Sequence, residues 1–130
     1  MVIDSSALLA ILLNEPEAEK FATILKNSKL KIIASPTYLE TCMAAKPRLG
    51  LQAIEEVNFL MNLAIIETID FTADASEVAV KAFLKYGKGQ GHPAQLNFGD
   101  CMAYAVSKLE GLPLLFKGDD FSKTDVECVV

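Results

Sequence analysis

Apolar residues along this chain form short continuous runs, which are separated by longer stretches with helical spacing. The short runs predict buried strands at residues 1–4, 31–34, 65–69, 112–116 and 126–130. The spaced stretches predict helices at residues 5–13, 16–27, 49–63, 72–86 and 98–110. A further helix is predicted to begin at Ser35-Pro36, run through Glu40 and Met43, and be broken or kinked at Pro47. Residues 87–97 form a glycine-rich loop.

The alternation of strands and helices predicts the fold class. It favours one α/β domain over residues 1–130, built as a sandwich around a mostly parallel sheet. In such sheets the ligand site lies at the carboxyl ends of the strands. Residues that follow strands are therefore the first place to look for chemistry.

Composition narrows the possible partners. The chain carries a net charge of −5, which makes it a poor general binder of a phosphate backbone. A nucleic-acid substrate would need local basic patches or metal ions.

The chain has an odd number of cysteines, Cys42, Cys101 and Cys128, and no CxxC pair. We interpret them as buried thiols in a reducing compartment. The apolar run Ala7–Leu13 is too short for a membrane span, so a soluble, cytoplasmic protein is expected.

Acidic residues follow or approach several predicted strands. Asp4 ends the first strand, Glu40 lies early in the helix after the second, Asp100 opens the last helix, and Asp119 and Asp120 follow the strand that ends at Phe116. Each has an ordinary explanation as a turn, cap or surface residue, but together they predict one acidic cluster. Clustered carboxylates repel one another unless a cation binds. Oxygen ligands favour Mg²⁺ or Mn²⁺, which can polarise a phosphate and activate water.

Several other residues are open to two interpretations. Ser6 is either a helix cap or a hydrogen-bond partner of Asp4 or of a phosphate. The basic residues Lys85, Lys88, His92 and Lys117 either guide an RNA backbone or form an ordinary solvated face. His92 is the only histidine, so cleavage of RNA by a histidine pair within one chain is excluded. Residues 87–91 follow a helix and lack the Gly-Lys-Ser/Thr ending, so they are not a P-loop.

An ordered set of segments resembles the VapC toxins, which are PIN-domain ribonucleases. The matching segments are Val2–Leu12, Glu15–Glu17, Ser35–Glu40, Asn97–Cys101 and Pro113–Phe121, with Arg48–Gly50 and Tyr86–Gly89 typical of one subgroup. The resemblance covers essentially the whole chain. It implies a single PIN domain with an α/β/α sandwich, and a type II toxin that cleaves specific RNA, with transfer RNA the first expectation. It also implies a need for Mg²⁺ or Mn²⁺.

The resemblance assigns roles to the acids. Asp4, Glu40 and Asp100 match the first three acids of the family as catalytic metal ligands. Asp119 is preferred over Asp120 as the fourth, because it lies closer to the strand end and adjacent residues of an extended segment point to opposite sides. One departure from the family pattern is Ala45-Lys46-Pro47, which puts the local helix geometry in doubt.

Partners also follow from the resemblance. A cognate VapB antitoxin should place a segment in a hydrophobic groove between the helices at 16–27 and 49–63, and another face should form a homodimer. The antitoxin can inhibit the enzyme by presenting a basic side chain to the acid cluster, which displaces the metal. Two alternatives remain open. One is an α/β phosphatase with Asp4 as nucleophile, although Ser6 stands where the second acid is expected. The other is an inactive PIN-like module that only binds RNA or protein.

Overall fold

The computed structural model describes residues 1–129 and contains four strands and six helices within that range. The strands are β1 (Val2–Ile3), β2 (Ile32–Ala34), β3 (Glu67–Ile69) and β4 (Leu114–Leu115). The helices are α1 (Ser5–Leu12), α2 (Ala18–Asn27), α3 (Ser35–Leu49), α4 (Ala53–Leu63), α5 (Ala73–Tyr86) and α6 (Phe98–Glu110). Short 3₁₀ turns lie at Gly50–Gln52 and Phe121–Lys123.

The strands form one sheet in the order β3-β2-β1-β4, and all are parallel. Val2 pairs with Ile32 on one side and with Leu114 on the other. The strand predicted at 126–130 is reduced to a single parallel bridge between Leu114 and Cys128, and Val130 lies outside the described residues. The first strand is therefore central, and its carboxyl end lies in the middle of the sheet edge.

Successive strand residues point to opposite faces of the sheet, and each face has its own core. Val2, Ile32 and Leu114 pack on one face against α5 and α6, where Tyr86 and Tyr104 are buried. On the other face, the core consists of Ile3, Ile33 and Leu115 with residues of α1, α2, α3 and α4. The predicted α/β/α sandwich with a parallel sheet is confirmed.

Pro47 does not break helix α3, so of the predicted break or kink the break is wrong. Helix α3 continues through Pro47 to Leu49 and ends where Gly50 adopts a φ of 71°. Because Pro47 lies in the last turn, its missing N–H removes a single hydrogen bond close to an end that glycine would impose anyway. Two helix starts also differ, since α2 begins at Ala18 and α4 at Ala53 after the 3₁₀ turn.

The cysteines are all free thiols. Cys42 and Cys101 are buried as predicted, whereas Cys128 is only partly buried because it lies on the short segment beside β4. No helix within residues 1–129 is long and apolar enough to cross a membrane.

Candidate active site

Asp4 lies at the carboxyl end of β1, where it caps helix α1. Its Oδ2 accepts the backbone N–H of Ser6 at 3.0 Å and the Ser6 hydroxyl at 2.5 Å. The other oxygen, Oδ1, is buried and has no hydrogen-bond partner. Burial, to which the charges of Asp100 and Glu40 add, raises the pKa of Asp4 to about 7 in spite of the bonds from Ser6. A buried carboxyl with a free oxygen is therefore held at the sheet edge.

Ser6 is both a neighbour of Asp4 and a link to the far end of the chain. Its Oγ accepts the backbone N–H of Lys117 at 2.9 Å while its own proton goes to Asp4. The loop after β4 is thereby tied to the start of α1. The cap of α1 is Asp4 and not Ser6, so the helix-cap interpretation of Ser6 is wrong, and its hydroxyl is instead a hydrogen-bond partner of Asp4.

Asp100 is fixed by a reciprocal cap at the start of α6. Asn97 Oδ1 accepts the Asp100 N–H at 2.8 Å, and Asp100 Oδ2 accepts the Asn97 N–H at 3.0 Å. Burial raises the pKa of Asp100 to about 6, and the charges of Asp120 and Glu40 add to this rise against the bond from Asn97. The Asn-x-x-Asp spacing was visible in the sequence as a capping signal, but the role of Asn97 was not predicted.

Glu40 reaches the same site from helix α3. Its carboxylate lies against Gly99 so closely that a Cβ at position 99 would overlap Glu40 Oε2. Its Oε1 is buried without a hydrogen-bond partner. Gly99 therefore leaves room for a side chain that lies 59 positions away in the sequence, and no local sequence signal marks it.

The fourth acid is either Asp119 or Asp120, which have different surroundings in the structure. The charge that raises the pKa of Asp100 includes that of Asp120, whereas Asp119 lines a cavity of about 270 Å³ with Lys20, Phe21 and other residues. The argument from extended backbone fails because Gly118 bends the chain with a φ of 103°. The preference for Asp119 stays a prediction, and the electrostatics favour Asp120.

The donor set fits a hard divalent cation by its chemistry. Asp4 and Glu40 each present a buried carboxylate oxygen without a partner, and the charges of Asp100 and Glu40 raise the pKa of Asp4, which a cation would reverse. Among residues 1–129, no three His, Cys, Asp or Glu side chains form a closed set of metal ligands. The carboxylates are therefore electrostatic neighbours, and their side chains would have to move closer together to bind one ion jointly.

The basic residues fall into two groups. Lys85 lies 4.9 Å from the ring centroid of Tyr86, and His92 packs edge-on against the same ring while its Nδ1 accepts the Ala94 N–H. Lys88 is exposed beside the start of α6. Lys117 behaves differently from the expected RNA contact, because its ammonium is bound by two carboxylates of the turn after α1, those of Glu15 and Glu17.

Two apolar grooves lie on the surface of the described residues. The larger, of about 920 Å³, lies between the starts of α3 and α6 and helix α5, and its apolar walls include Leu39, Phe71, Val80, Phe83, Phe98 and Met102. The smaller, of about 520 Å³, lies between α1 and α4 and is lined by Ile11, Leu12, Phe59, Leu60 and Leu63. The groove predicted between α2 and α4 is thus formed by α1 instead, because α1 packs between them.

Comparison with known proteins identifies the family. The PIN domain model matches residues 1–127. Ribonuclease VapC30 of Mycobacterium tuberculosis is 40% identical over 129 residues, which covers 99% of this chain and 98% of the relative. Ribonuclease VapC of Mycolicibacterium smegmatis is also 40% identical over 129 residues, covering 99% of both chains.

Solved structures give the same fold. The crystal structure of Mycobacterium tuberculosis VapC20, described as a Sarcin-Ricin loop cleaving toxin, has a TM-score of 0.78 at 16% identity and covers 96% of this chain and 95% of its own. VapBC2 from Rickettsia felis, bound to a DNA fragment from the promoter, has a TM-score of 0.73 at 13% identity over 98% and 94% of the chains. The acid-lined edge, the parallel sheet and these relatives together show that the chain belongs to the VapC family of PIN-domain ribonucleases.

Proposed function

We propose that this protein is the toxin of a type II toxin–antitoxin pair, and that it cleaves a specific RNA with the aid of Mg²⁺ or Mn²⁺. The observation that carries the proposal is the meeting of Asp4, Glu40 and Asp100 at one sheet edge with two buried carboxylate oxygens unpaired. Transfer RNA is the proposed substrate class. A cytoplasmic location goes with that substrate.

The residues at this sheet edge have different roles in the proposed metal site. Ser6 occupies Asp4 Oδ2, which leaves Oδ1 for the cation, and Asn97 holds Asp100 through the helix cap. Asp4, Asp100 and Glu40 would hold the ion. When bound, Mg²⁺ or Mn²⁺ supplies positive charge for the scissile phosphate and lowers the pKa of a water molecule.

We propose Asp120 as the fourth acid in place of Asp119. Its charge acts on Asp100, whereas the backbone carbonyl of Asp119 accepts the Ser122 hydroxyl and its residue lines the cavity on the Lys20 side. The two residues are adjacent, exposed and identical in type, so each is the matched control for the other. Asp120→Asn should weaken cleavage more than Asp119→Asn.

The protein carries a net negative charge, so an RNA substrate would need basic side chains near the site. Lys88 lines the same groove as the start of α6, and Lys85 and His92 pack on Tyr86, where the loop that leads into α6 begins. We propose that this segment contacts the RNA backbone, since such contacts run on basic side chains. Substitution of Lys88 by Gln should raise the KM for RNA and reduce the salt dependence of binding.

Two partners are proposed for the two grooves. A VapB-type antitoxin segment fits the groove between α1 and α4, where exposed Phe59 and Leu63 are bordered by Glu55 and Glu56; an apolar segment with basic neighbours would complement it. A second copy of the chain fits the larger groove, where Phe98 is 83% exposed. Leu63→Asp should abolish antitoxin binding while cleavage remains, and Phe83→Asp should give a monomer by sedimentation.

Cleavage assays separate the proposed function from the alternatives. Purified protein is incubated with total RNA and with transfer RNA in Mg²⁺, in Mn²⁺ and in EDTA. Cleavage that requires the metal and disappears in Asp4→Asn and Asp100→Asn is expected. Binding of RNA without cleavage would instead indicate an inactive module, and hydrolysis of p-nitrophenyl phosphate that depends on Asp4 would indicate a phosphatase. Full RNA cleavage in EDTA would refute the metal dependence.

A further inference from the structure

Lys117 contacts two separate parts of the protein. Its ammonium lies 3.0 Å from Glu15 Oε2 and 3.3 Å from Glu17 Oε2, both in the turn after α1. Its backbone N–H donates to Ser6 Oγ at 2.9 Å, and Ser6 Oγ donates in turn to Asp4 Oδ2. Lys117 therefore binds the turn after α1 through its side chain and is hydrogen-bonded to Ser6, next to Asp4, through its backbone.

These contacts form a closed ring around helix α1. Asp4 caps the beginning of the helix, and the N–H of Glu15 donates to the Ala10 carbonyl at its end. Eight helical residues span about 12 Å, and Lys117 bridges both ends of that rigid element. The direction of the Lys117 N–H is thereby set from the far end of α1.

The ion pair at Lys117 is more restrained than an ordinary surface pair. All three side chains are about one-third exposed, and Glu17 Oε2 is buried with no hydrogen-bond partner, so the ammonium is its compensation. An exposed pair would contribute little. Here, loss of the ammonium would leave two neighbouring carboxylates, one partly desolvated, and their repulsion would displace the turn.

We propose that Lys117 is a positioning residue of the ribonuclease site, acting through Ser6 on Asp4, and that Glu15 and Glu17 hold it in place. This inference rests on the proposed role of Asp4 as a metal ligand. It accounts for an ammonium that is held between two carboxylates and for a serine hydroxyl that both donates and accepts a hydrogen bond. Movement of the Lys117 backbone would rotate the Asp4 carboxylate and shift the loop that carries Asp120.

Substitutions at Lys117 and at its partners test this inference. Lys117→Met keeps the backbone N–H and the length of the side chain without the charge, and Lys117→Arg keeps the charge. The double variant Glu15→Gln/Glu17→Gln weakens the same contact from the other side. We would measure the Mn²⁺ dissociation constant by calorimetry, kcat and KM for RNA, and hydrogen exchange at the amide of residue 117.

The expected pattern is specific to positioning. Lys117→Met should lower kcat by about 10–100-fold, as a misplacement of about 1 Å can do, with weaker Mn²⁺ binding, faster amide exchange and an unchanged KM. Lys117→Arg should restore most of the rate. The Gln double variant should reproduce the loss, and combining it with Lys117→Met should add little, because all three changes remove one contact.

Other patterns would overturn the inference. A raised KM with normal kcat and Mn²⁺ affinity would identify Lys117 as an RNA contact, and a lower melting temperature with normal kcat would make the ion pair merely structural. If Lys117→Met does not fold, the Gln double variant carries the same test. Wild-type protein that neither binds Mn²⁺ nor cleaves RNA would refute the proposed function itself. An active wild type whose variants keep the same kcat and Mn²⁺ affinity would refute only the role of Lys117.

Discussion

Replacing Asp4 by Asn should stabilise the metal-free protein at alkaline pH. Burial raises the pKa of Asp4 from its usual 3.8 to about 7, so the folded state binds this proton more tightly than the unfolded state. Stability is then lost as pH rises from about 4 to about 7. At roughly 1.4 kcal/mol for each pH unit, the loss is about 4 kcal/mol at pH 8.

The net stabilisation of Asp4→Asn is smaller than the stability that the wild type loses. Asn keeps an oxygen for the Ser6 hydroxyl but places an amide where Oδ1 has no partner, which costs about 1–3 kcal/mol. We therefore expect Asp4→Asn to be more stable than wild type by about 1–3 kcal/mol at pH 8. The gain should disappear near pH 4, where Asp4 is protonated in the folded state.

Thermal and urea unfolding in EDTA at several pH values measures this difference. For a domain of this size, 1 kcal/mol moves the melting temperature by about 3–5 °C. Glu77→Gln, which removes an exposed charge on α5, controls for net charge. A variant that is less stable than wild type at pH 8, or a gain that does not vary with pH, would refute the reasoning.

Three further predictions concern the acid site and helix α3. Gly99→Ala should keep or raise the melting temperature, because Ala favours the helix by about 1 kcal/mol. The same variant should cleave RNA about 10–100-fold more slowly, because the added Cβ displaces Glu40. An unfolded variant would contradict this. At limiting Mn²⁺, the cleavage rate should rise with pH and level off above about 7, as Asp4 and Asp100 lose their protons; a flat profile would contradict it. Pro47→Ala should raise the unfolding free energy by about 1 kcal/mol in urea.

The order of elements was predictable because each depends on local spacing. Strands β1 and β2 are continuous apolar runs, and α5 and α6 have clear starts and stops in the sequence. The parallel sandwich then follows from their alternation. The alternation of strands and helices also places Asp4 and Asp100 at one edge of the sheet. Asp4 follows β1, and Asp100 lies at the start of α6, the helix that leads to β4.

The finer features depend on contacts that local patterns do not contain. Gly99 is a glycine because Glu40 packs on it from another helix, and Lys117 is bound by carboxylates from the opposite end of the chain. The choice between Asp119 and Asp120 depends on a backbone bend at Gly118. Such features arise from tertiary packing, which overrides the expectation from an extended strand.

The strand order has a consequence for the making of the protein. The central strand β1 pairs with β4, which comes from the opposite end of the chain, so the sheet closes only after residues through Leu115 have been synthesised. Pairing over so long a separation is slow to form. The nascent chain therefore emerges before its candidate site is complete, because Asp4 is synthesised early and the loop after β4 is synthesised late. The site can acquire its geometry only after nearly the whole chain has been made.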